Sequence, residues 1–238
     1  MSQLGTPRLQ LREVGSTNDR ARELAERGAP HGTLVSADLQ SGGRGRQARQ
    51  WVAPAQSAAL ISLIIREPPA LLPLIAAVAV AEACGPQARI KWPNDILLSG
   101  DDGRIGKVAG ILCEARPKQG WAVVGIGVNV ALRLDQLPDE LRSTAATLGL
   151  TSDDREAVIA ELVEALQRCL LLAPDELLGR WQARDALRGQ QISWQDAAGE
   201  ASGVAQGVDS EGALIVETSS RQRLKLNAGE VHLTAPSR

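Results

Sequence analysis

The chain of 238 residues has no Phe and no Tyr, and five Trp carry all of its aromatic surface, yet 44% of its residues are hydrophobic. That apolar content excludes intrinsic disorder, and the missing Phe and Tyr argue against a module that stacks nucleic-acid bases on such rings. A formal net charge of −2 lacks the basic excess of a general nucleic-acid binder. Leu9–Val14 alternates weakly and predicts a strand. Ser16-Thr17-Asn18 then leads into a helix over Asp19–Arg27, which Ser16 or Thr17 can cap. Thr33–Leu39 and the aliphatic run Ala58–Ile65 predict strands, and Pro68-Pro69 opens an apolar helix from about Leu71 to Cys84.

Arg89–Trp92 reads as a short strand ending at Pro93 and continued by Ile96–Leu98, with a turn at Asp101-Asp102-Gly103. Val108–Glu114 and Trp121–Val130 predict strands flanking a turn at Pro117–Gly120. Helical spacing marks Thr151–Leu172, with a capping box at Thr151–Asp154. Another helix starts at Pro174, with Leu177, Leu178 and Trp181 facing inward. Beyond a boundary near residues 186–189 the pattern changes to short strands: Gln191–Gln195, Gly203–Val208, Ala213–Thr218, Arg223–Asn227 and Val231–Thr234. Their turns lie at Asp196–Gly199, Asp209–Gly212 and Ser219-Ser220. Strand length and turn spacing suggest a small β-barrel after an α/β or α+β main domain. Cys84, Cys113 and Cys169 are widely spaced and form no CxxC, which fits a reduced cytoplasmic protein. No signal sequence or membrane-spanning run is apparent.

Four segments can carry chemistry. Gln40-Ser41-Gly42-Gly43-Arg44-Gly45-Arg46-Gln47-Ala48-Arg49-Gln50-Trp51 follows a strand. Its glycines permit close backbone approach, its Arg forks suit carboxylate or phosphate, and Trp51 offers a stacking face. A solvated basic loop would share this composition. In Lys91-Trp92-Pro93-Asn94-Asp95 the polar groups suit a phosphate, a base edge and a metal ion, although an Asx-turn has the same residues. Lys occurs only at 91, 107, 118 and 225, so ordinary surface cations in this chain are Arg and a retained Lys suggests a need for a compact ammonium. Gly106-Lys107-Val108-Ala109-Gly110-Ile111 places Lys107 at the mouth of a strand, where it would otherwise serve as an edge Lys. Gly125-Ile126-Gly127-Val128-Asn129 puts two Gly in a strand, for ligand approach or tight packing.

Together and in this order, Ser16-Thr17-Asn18, Gly43-Arg44-Gly45-Arg46 with Trp51, Lys91–Asp95, Gly106–Ile111 and Gly125–Asn129 resemble the motifs of biotin–protein ligases. So does Gly207-Val208-Asp209 with Glu211-Gly212-Ala213-Leu214 near the C-terminus. The resemblance covers nearly the whole chain. It implies an α+β fold: a mixed-sheet, class II synthetase-like catalytic domain of the biotin/lipoate ligase type at 1–187 and an SH3-like β-barrel at 188–238. It implies an enzyme that joins biotin to ATP, with Mg²⁺, and then transfers biotin to a lysine of a biotin carboxyl carrier protein of acetyl-CoA carboxylase. The chain begins shortly before Ser16, so the ligase-only form is expected, without an N-terminal DNA-binding domain or repressor activity. It would be cytoplasmic, bind neither DNA nor membrane, and be a monomer or homodimer.

The resemblance also implies roles. Lys107 would lie between the biotin carboxylate and the α-phosphate. Arg44, Gly45 and Arg46 would enclose biotin and phosphates, with Arg46 catalytic alongside Lys107, and Arg49 would reach the triphosphate. Ser16, Thr17, Asn18 and Gln40 would serve the ureido ring, and Trp51 would pack on adenine. Asn94, Asp95 and Asn129 would support the nucleotide and Mg²⁺, with Asp95 nearest the metal and Lys91 close by. Gly110 would allow close approach. Relatives often carry aromatics before Gln40 or in the Leu60–Leu63 strand, so the pocket wall here would depend on Leu, Ile and Trp. A lipoate–protein ligase and a non-catalytic biotin-binding module are the rival readings.

Overall fold

A computed structural model describes residues 3–100, 103–196, 199–227 and 229–233. The predicted turns at Asp101-Asp102-Gly103 and Asp196–Gly199 include residues outside that set, as does Thr234. Seven strands form one mixed sheet in the order β1-β2-β3-β7-β6-β5-β4. These are β1 (Arg8–Val14), β2 (Leu34–Gln40), β3 (Ala58–Arg66), β4 (Arg89–Lys91), β5 (Asp95–Ser99), β6 (Ile105–Arg116) and β7 (Trp121–Asn129). Among the paired strands of the described residues, only β1 and β2 run parallel. Ile96–Leu98 does not continue the preceding strand. The chain reverses through Trp92–Asn94, and β4 and β5 pair as an antiparallel hairpin. Pro93 offers no N–H to a strand ladder, so a turn there suits it better than a continued strand.

Helix α1 (Thr17–Glu26) packs on one face of the sheet, where Ala21 and Ala25 meet Val35, Ile64, Trp121 and Val123. Ser16 caps it, its hydroxyl accepting from the Asp19 N–H. Helix α2 (Leu72–Ala83) is apolar nearly all round and correspondingly buried. It shares the main core with β3, β6, β7, α4 (Arg155–Cys169) and α5 (Pro174–Ala183). A single turn, α3 (Asp139–Arg142), lies between β7 and α4. The helix predicted from Thr151 begins with a capping box at Thr151 and Asp154. Arg155 at the start of α4 is buried. Its Nε donates to the Ala58 carbonyl at 3.2 Å and its guanidinium pairs with Asp38 at 2.8 Å, tying α4 to the central strands.

The C-terminal strands are β8 (Gln191–Asp196), β9 (Gly199–Val208), β10 (Leu214–Glu217), β11 (Arg223–Leu226) and β12 (Val231–Leu233). They form a second, antiparallel sheet in the order β11-β10-β9-β8-β12. Among the described residues no pairing joins its outer strands, which are only three and four residues long, so the sheet is open rather than closed into a barrel. Its inner residues, Ile192, Ala205, Leu214 and Val231, belong to the same hydrophobic cluster as α2 and α5. No helix among the described residues is long and apolar enough to cross a membrane.

Candidate active site

A cavity of about 880 Å³ lies where α1, the loop after β2, β4–β7 and the end of the C-terminal sheet converge. Strand β7 shows why it forms there. Side chains alternate along a strand, so Trp121, Val123, Gly125, Gly127 and Asn129 share one face. Trp121 and Val123 pack beneath α1. Beyond them the side chains vanish: a Cβ on Gly125 would lie 2.7 Å from Asn18 Cγ, and one on Gly127 would lie 2.6 Å from the Trp51 ring. The two glycines therefore let Asn18 and Trp51 lie directly on the backbone of the sheet.

All fifteen residues predicted for the site line this cavity, from Ser16, Thr17, Asn18 and Gln40 at one end to Trp51 and Asn129 elsewhere along it. Six cations (Arg44, Arg46, Arg49, Arg89, Lys91 and Lys107) face three carboxylates (Asp95, Asp185 and Glu230) among the described lining residues. That balance favours an anionic ligand.

Lys107 is held closely. Its ammonium lies 2.6 Å from Asp95 Oδ1 and 5.6 Å from the centre of the Trp51 ring. Simple alternation would place Lys107 and Gly110 on opposite faces of β6. However, Ile96 pairs with Ala109 while Leu97 pairs with Lys107, a one-residue shift that makes Val108 a bulge. The bulge re-aims Lys107, and a Cβ on Gly110 would meet its Cε at 3.2 Å and Trp51 at 3.0 Å. A strap from the α3 region fixes the backbone: the Lys107 N–H donates to the Thr144 carbonyl at 2.7 Å, and the Ala146 N–H donates to the Lys107 carbonyl at 2.9 Å. Gly106 is needed for this approach, since a Cβ there would lie 2.5 Å from the Ala145 carbonyl oxygen.

Several predicted residues are already committed to other partners. Asn18 Nδ2 donates to the Leu112 carbonyl at 3.2 Å and to Glu114 at 2.9 Å, while its Oδ1 lies 2.6 Å from the Ser62 hydroxyl. Only a lone pair of Asn18 remains for a ligand. Asn94 Nδ2 donates to the Ile111 carbonyl at 3.1 Å, pinning the hairpin to β6. Arg44 pairs with Asp19 at 2.6 Å and Glu114 at 3.1 Å. Arg49 forms a two-pronged pair with Glu230, one prong at 2.6 Å. Trp92, also on the cavity lining, donates its Nε1–H to the Gly212 carbonyl at 3.1 Å, joining the motif to the C-terminal sheet. By contrast, Arg46 and Lys91 have no ion-pair partner among the described residues.

Three buried polar atoms in the lining are orphaned among the described residues: Trp51 Nε1, Asn129 Oδ1 and Asp185 Oδ2. Asn129 Nδ2 is spent on the Ala146 carbonyl at 2.9 Å and the Lys107 carbonyl at 3.4 Å, so the amide cannot turn round. It presents an acceptor only. The other carboxylate oxygen of Asp185, Oδ1, accepts the Leu187 N–H at 2.8 Å; burial raises this carboxyl above its usual range. Burial likewise pushes the Cys84 and Cys113 thiols up to about 12 and Cys169 to about 11, in line with unreactive thiols. Among the described residues no three His, Cys, Asp or Glu side chains gather to hold a metal.

Sequence reasoning missed Ser62, Glu114, Asp185 and Glu230. Ser62 is detectable, as the single hydroxyl within the aliphatic run of β3. The other three depend on long-range placement.

The Biotin/lipoate A/B protein ligase family model matches residues 11–130, and the Biotin protein ligase C terminal domain model matches residues 189–233. The chain is 37% identical over 229 residues to the biotin–[acetyl-CoA-carboxylase] ligase of Paracoccus denitrificans, an alignment covering 87% of this chain and 92% of the relative. It is 36% identical over 227 residues to the bifunctional ligase/repressor BirA of Bacillus subtilis, covering 87% of this chain and 68% of that protein. The biotin protein ligase from Aquifex aeolicus in complex with biotin and ATP has a TM-score of 0.80 to the structure, with 25% identity over 96% of this chain and 100% of that one.

Proposed function

The chain belongs to the biotin/lipoate A/B protein ligase family, and we propose that it activates biotin with ATP and transfers it to a lysine of a biotin carboxyl carrier protein, in the cytoplasm. The observation that carries the reading is Lys107, bulged into the cavity beside orphaned Asn129 Oδ1 and Trp51. An acceptor that cannot rotate into a donor calls for a ligand N–H, which the exocyclic amine of adenine supplies. The Trp51 face offers stacking for the same ring.

In the first step a biotin carboxylate oxygen attacks the α-phosphorus and pyrophosphate leaves, giving biotinyl-AMP. The carboxylate is already ionised at neutral pH, so no base is required. The obstacle is repulsion between anions, and preorganised cations offset it as charge develops. Lys107 serves the α-phosphate and carboxylate. Arg46 and Lys91, without ion-pair partners among the described residues, serve the phosphates. Arg49 reaches the triphosphate by exchanging Glu230 for it. Mg²⁺ commonly binds through one or two carboxylates plus substrate phosphates. With no protein cage for the ion among the described residues, it would be carried on the triphosphate with Asp95 as the protein's contribution, supplying further charge neutralisation.

In the second step the carrier lysine amine attacks the carboxyl carbon and AMP leaves. The amine must first lose a proton, and Asp95, next to Lys107, is the carboxylate we assign to take it. Residues 1–187 form the catalytic unit and 188–238 a C-terminal unit, a division in keeping with the two family matches. Incubation with ATP, biotin and a carrier domain is expected to add one biotin to that domain, read by intact mass. An unmodified carrier beside accumulating AMP would overturn the transfer step.

A further inference from the structure

We propose that Glu114 is a positioning residue for the ring end of the site, acting through a one-way hydrogen-bond chain on Thr17 and through an ion pair on Arg44. The inference rests on the reading that the biotin ring occupies the Thr17–Gln40 end. Glu114 lies on β6 two residues beyond Leu112 and shares its face of the strand.

An ionised carboxylate accepts hydrogen bonds and donates none. Both protons of Asn18 Nδ2 therefore go to fixed acceptors, Glu114 Oε2 at 2.9 Å and the Leu112 carbonyl at 3.2 Å. Turning the amide over would set Oδ1 against a carboxylate and a carbonyl. Oδ1 must then accept from Ser62, 2.6 Å away in a fully buried position, and this commits the only Ser62 proton. The Ser62 and Thr17 hydroxyls are 2.8 Å apart and the Thr17 hydroxyl also lies 3.0 Å from Gln40 Oε1, so the Thr17 proton is shared between these two acceptors and the Thr17 oxygen keeps a lone pair for a ligand. Meanwhile Gln40 Oε1 accepts the Thr17 N–H at 2.7 Å, leaving Nε2 directed elsewhere as a donor.

The ring end thus shows an acceptor, the Thr17 oxygen, and a donor, Gln40 Nε2. A cyclic urea, with N–H groups beside a carbonyl, is the complementary ligand. The same Glu114 carboxylate lies 3.1 Å from the Arg44 guanidinium, so it also holds the glycine-arginine loop against the start of α1. Glu114→Gln keeps the shape but brings its own N–H donors, so only the Leu112 carbonyl still holds the Asn18 amide in its orientation and the one-way order of the chain is weakened.

The test is calorimetric titration of the full chain with biotin, together with steady-state kinetics. The parent is expected to bind biotin, Thr17→Val to bind it more weakly, and Glu114→Gln to raise the biotin Kd about tenfold or more. In Glu114→Gln, KM for biotin should rise severalfold more than KM for ATP, a split that a merely structural role would not produce. Ser62→Ala, which leaves Arg44 untouched, should raise the biotin Kd severalfold and serves if Glu114→Gln does not fold. A parent that binds no biotin, or a Thr17→Val variant that binds as the parent does, would overturn the underlying reading and this proposal with it. If Thr17→Val is weakened while Glu114→Gln, or Ser62→Ala in its place, binds within about twofold of the parent, only the Glu114 role is overturned. Equal rises in both KM values with a lowered Tm would also overturn it.

Discussion

Replacing Lys107 by Ala is expected to slow pyrophosphate release from ATP and biotin by about 10²–10³-fold, the usual cost of losing one preorganised transition-state donor. ATP affinity should fall far less, because Arg46, Lys91 and the Trp51 face are untouched. Three features place the ammonium: the Val108 bulge, the Asp95 pair at 2.6 Å and the strap along its backbone at Thr144 and Ala146. Lys107→Arg separates charge from shape. Its planar fork keeps the positive charge but cannot occupy the space of a compact ammonium between Asp95 and Trp51. A partial rescue of binding without recovery of rate is the expected pattern. Unchanged pyrophosphate release in Lys107→Ala would remove Lys107 from the chemistry.

Gly125→Ala should have the second large effect, on biotin rather than ATP. The new methyl would lie 2.7 Å from Asn18 Cγ and closer still to Oδ1. Asn18 cannot give way cheaply, because Glu114, Leu112 and Ser62 hold its amide on three sides. Overpacking of this kind costs about 1–3 kcal/mol of stability. Displacing Asn18 also breaks the chain to Thr17. Biotin binding is expected to drop by at least about 100-fold while the protein remains folded; circular dichroism and biotin titration check the two halves. Gly127→Ala supplies the contrast, since its methyl meets the Trp51 ring and should weaken ATP first.

Much of this site is legible in the amino-acid sequence. The fifteen side chains and glycines singled out for the site all lie on the cavity wall, and they can be picked out because glycine, Arg and a scarce Lys stand out against the rest of the composition. Aliphatic runs locate β3 and β7, and the spacing of Ile159, Leu162 and Leu166 locates α4. Partnership is what local pattern does not carry. Period-two alternation puts Lys107 and Gly110 on opposite faces, and only the pairing of β5 with β6 reveals the bulge. The β4–β5 reversal at Pro93 is hidden because strand propensity resumes so soon after the turn. Asn94 and Asn18 stand in the site as expected, yet their amides are largely committed to backbone, Ser62 and Glu114, a matter of tertiary contact. The Arg49–Glu230 pair joins residues 181 apart, beyond the reach of local pattern. The aliphatic wall expected in place of Phe and Tyr is present as Ile61, Leu112 and Ile126, with Trp51 above the glycines.

The most direct measurement of the assigned activity is pyrophosphate release from ATP with biotin, lipoate and octanoate in parallel reactions. Release with biotin, and little with either fatty acid, is the expected result. Release with lipoate and none with biotin would contradict it.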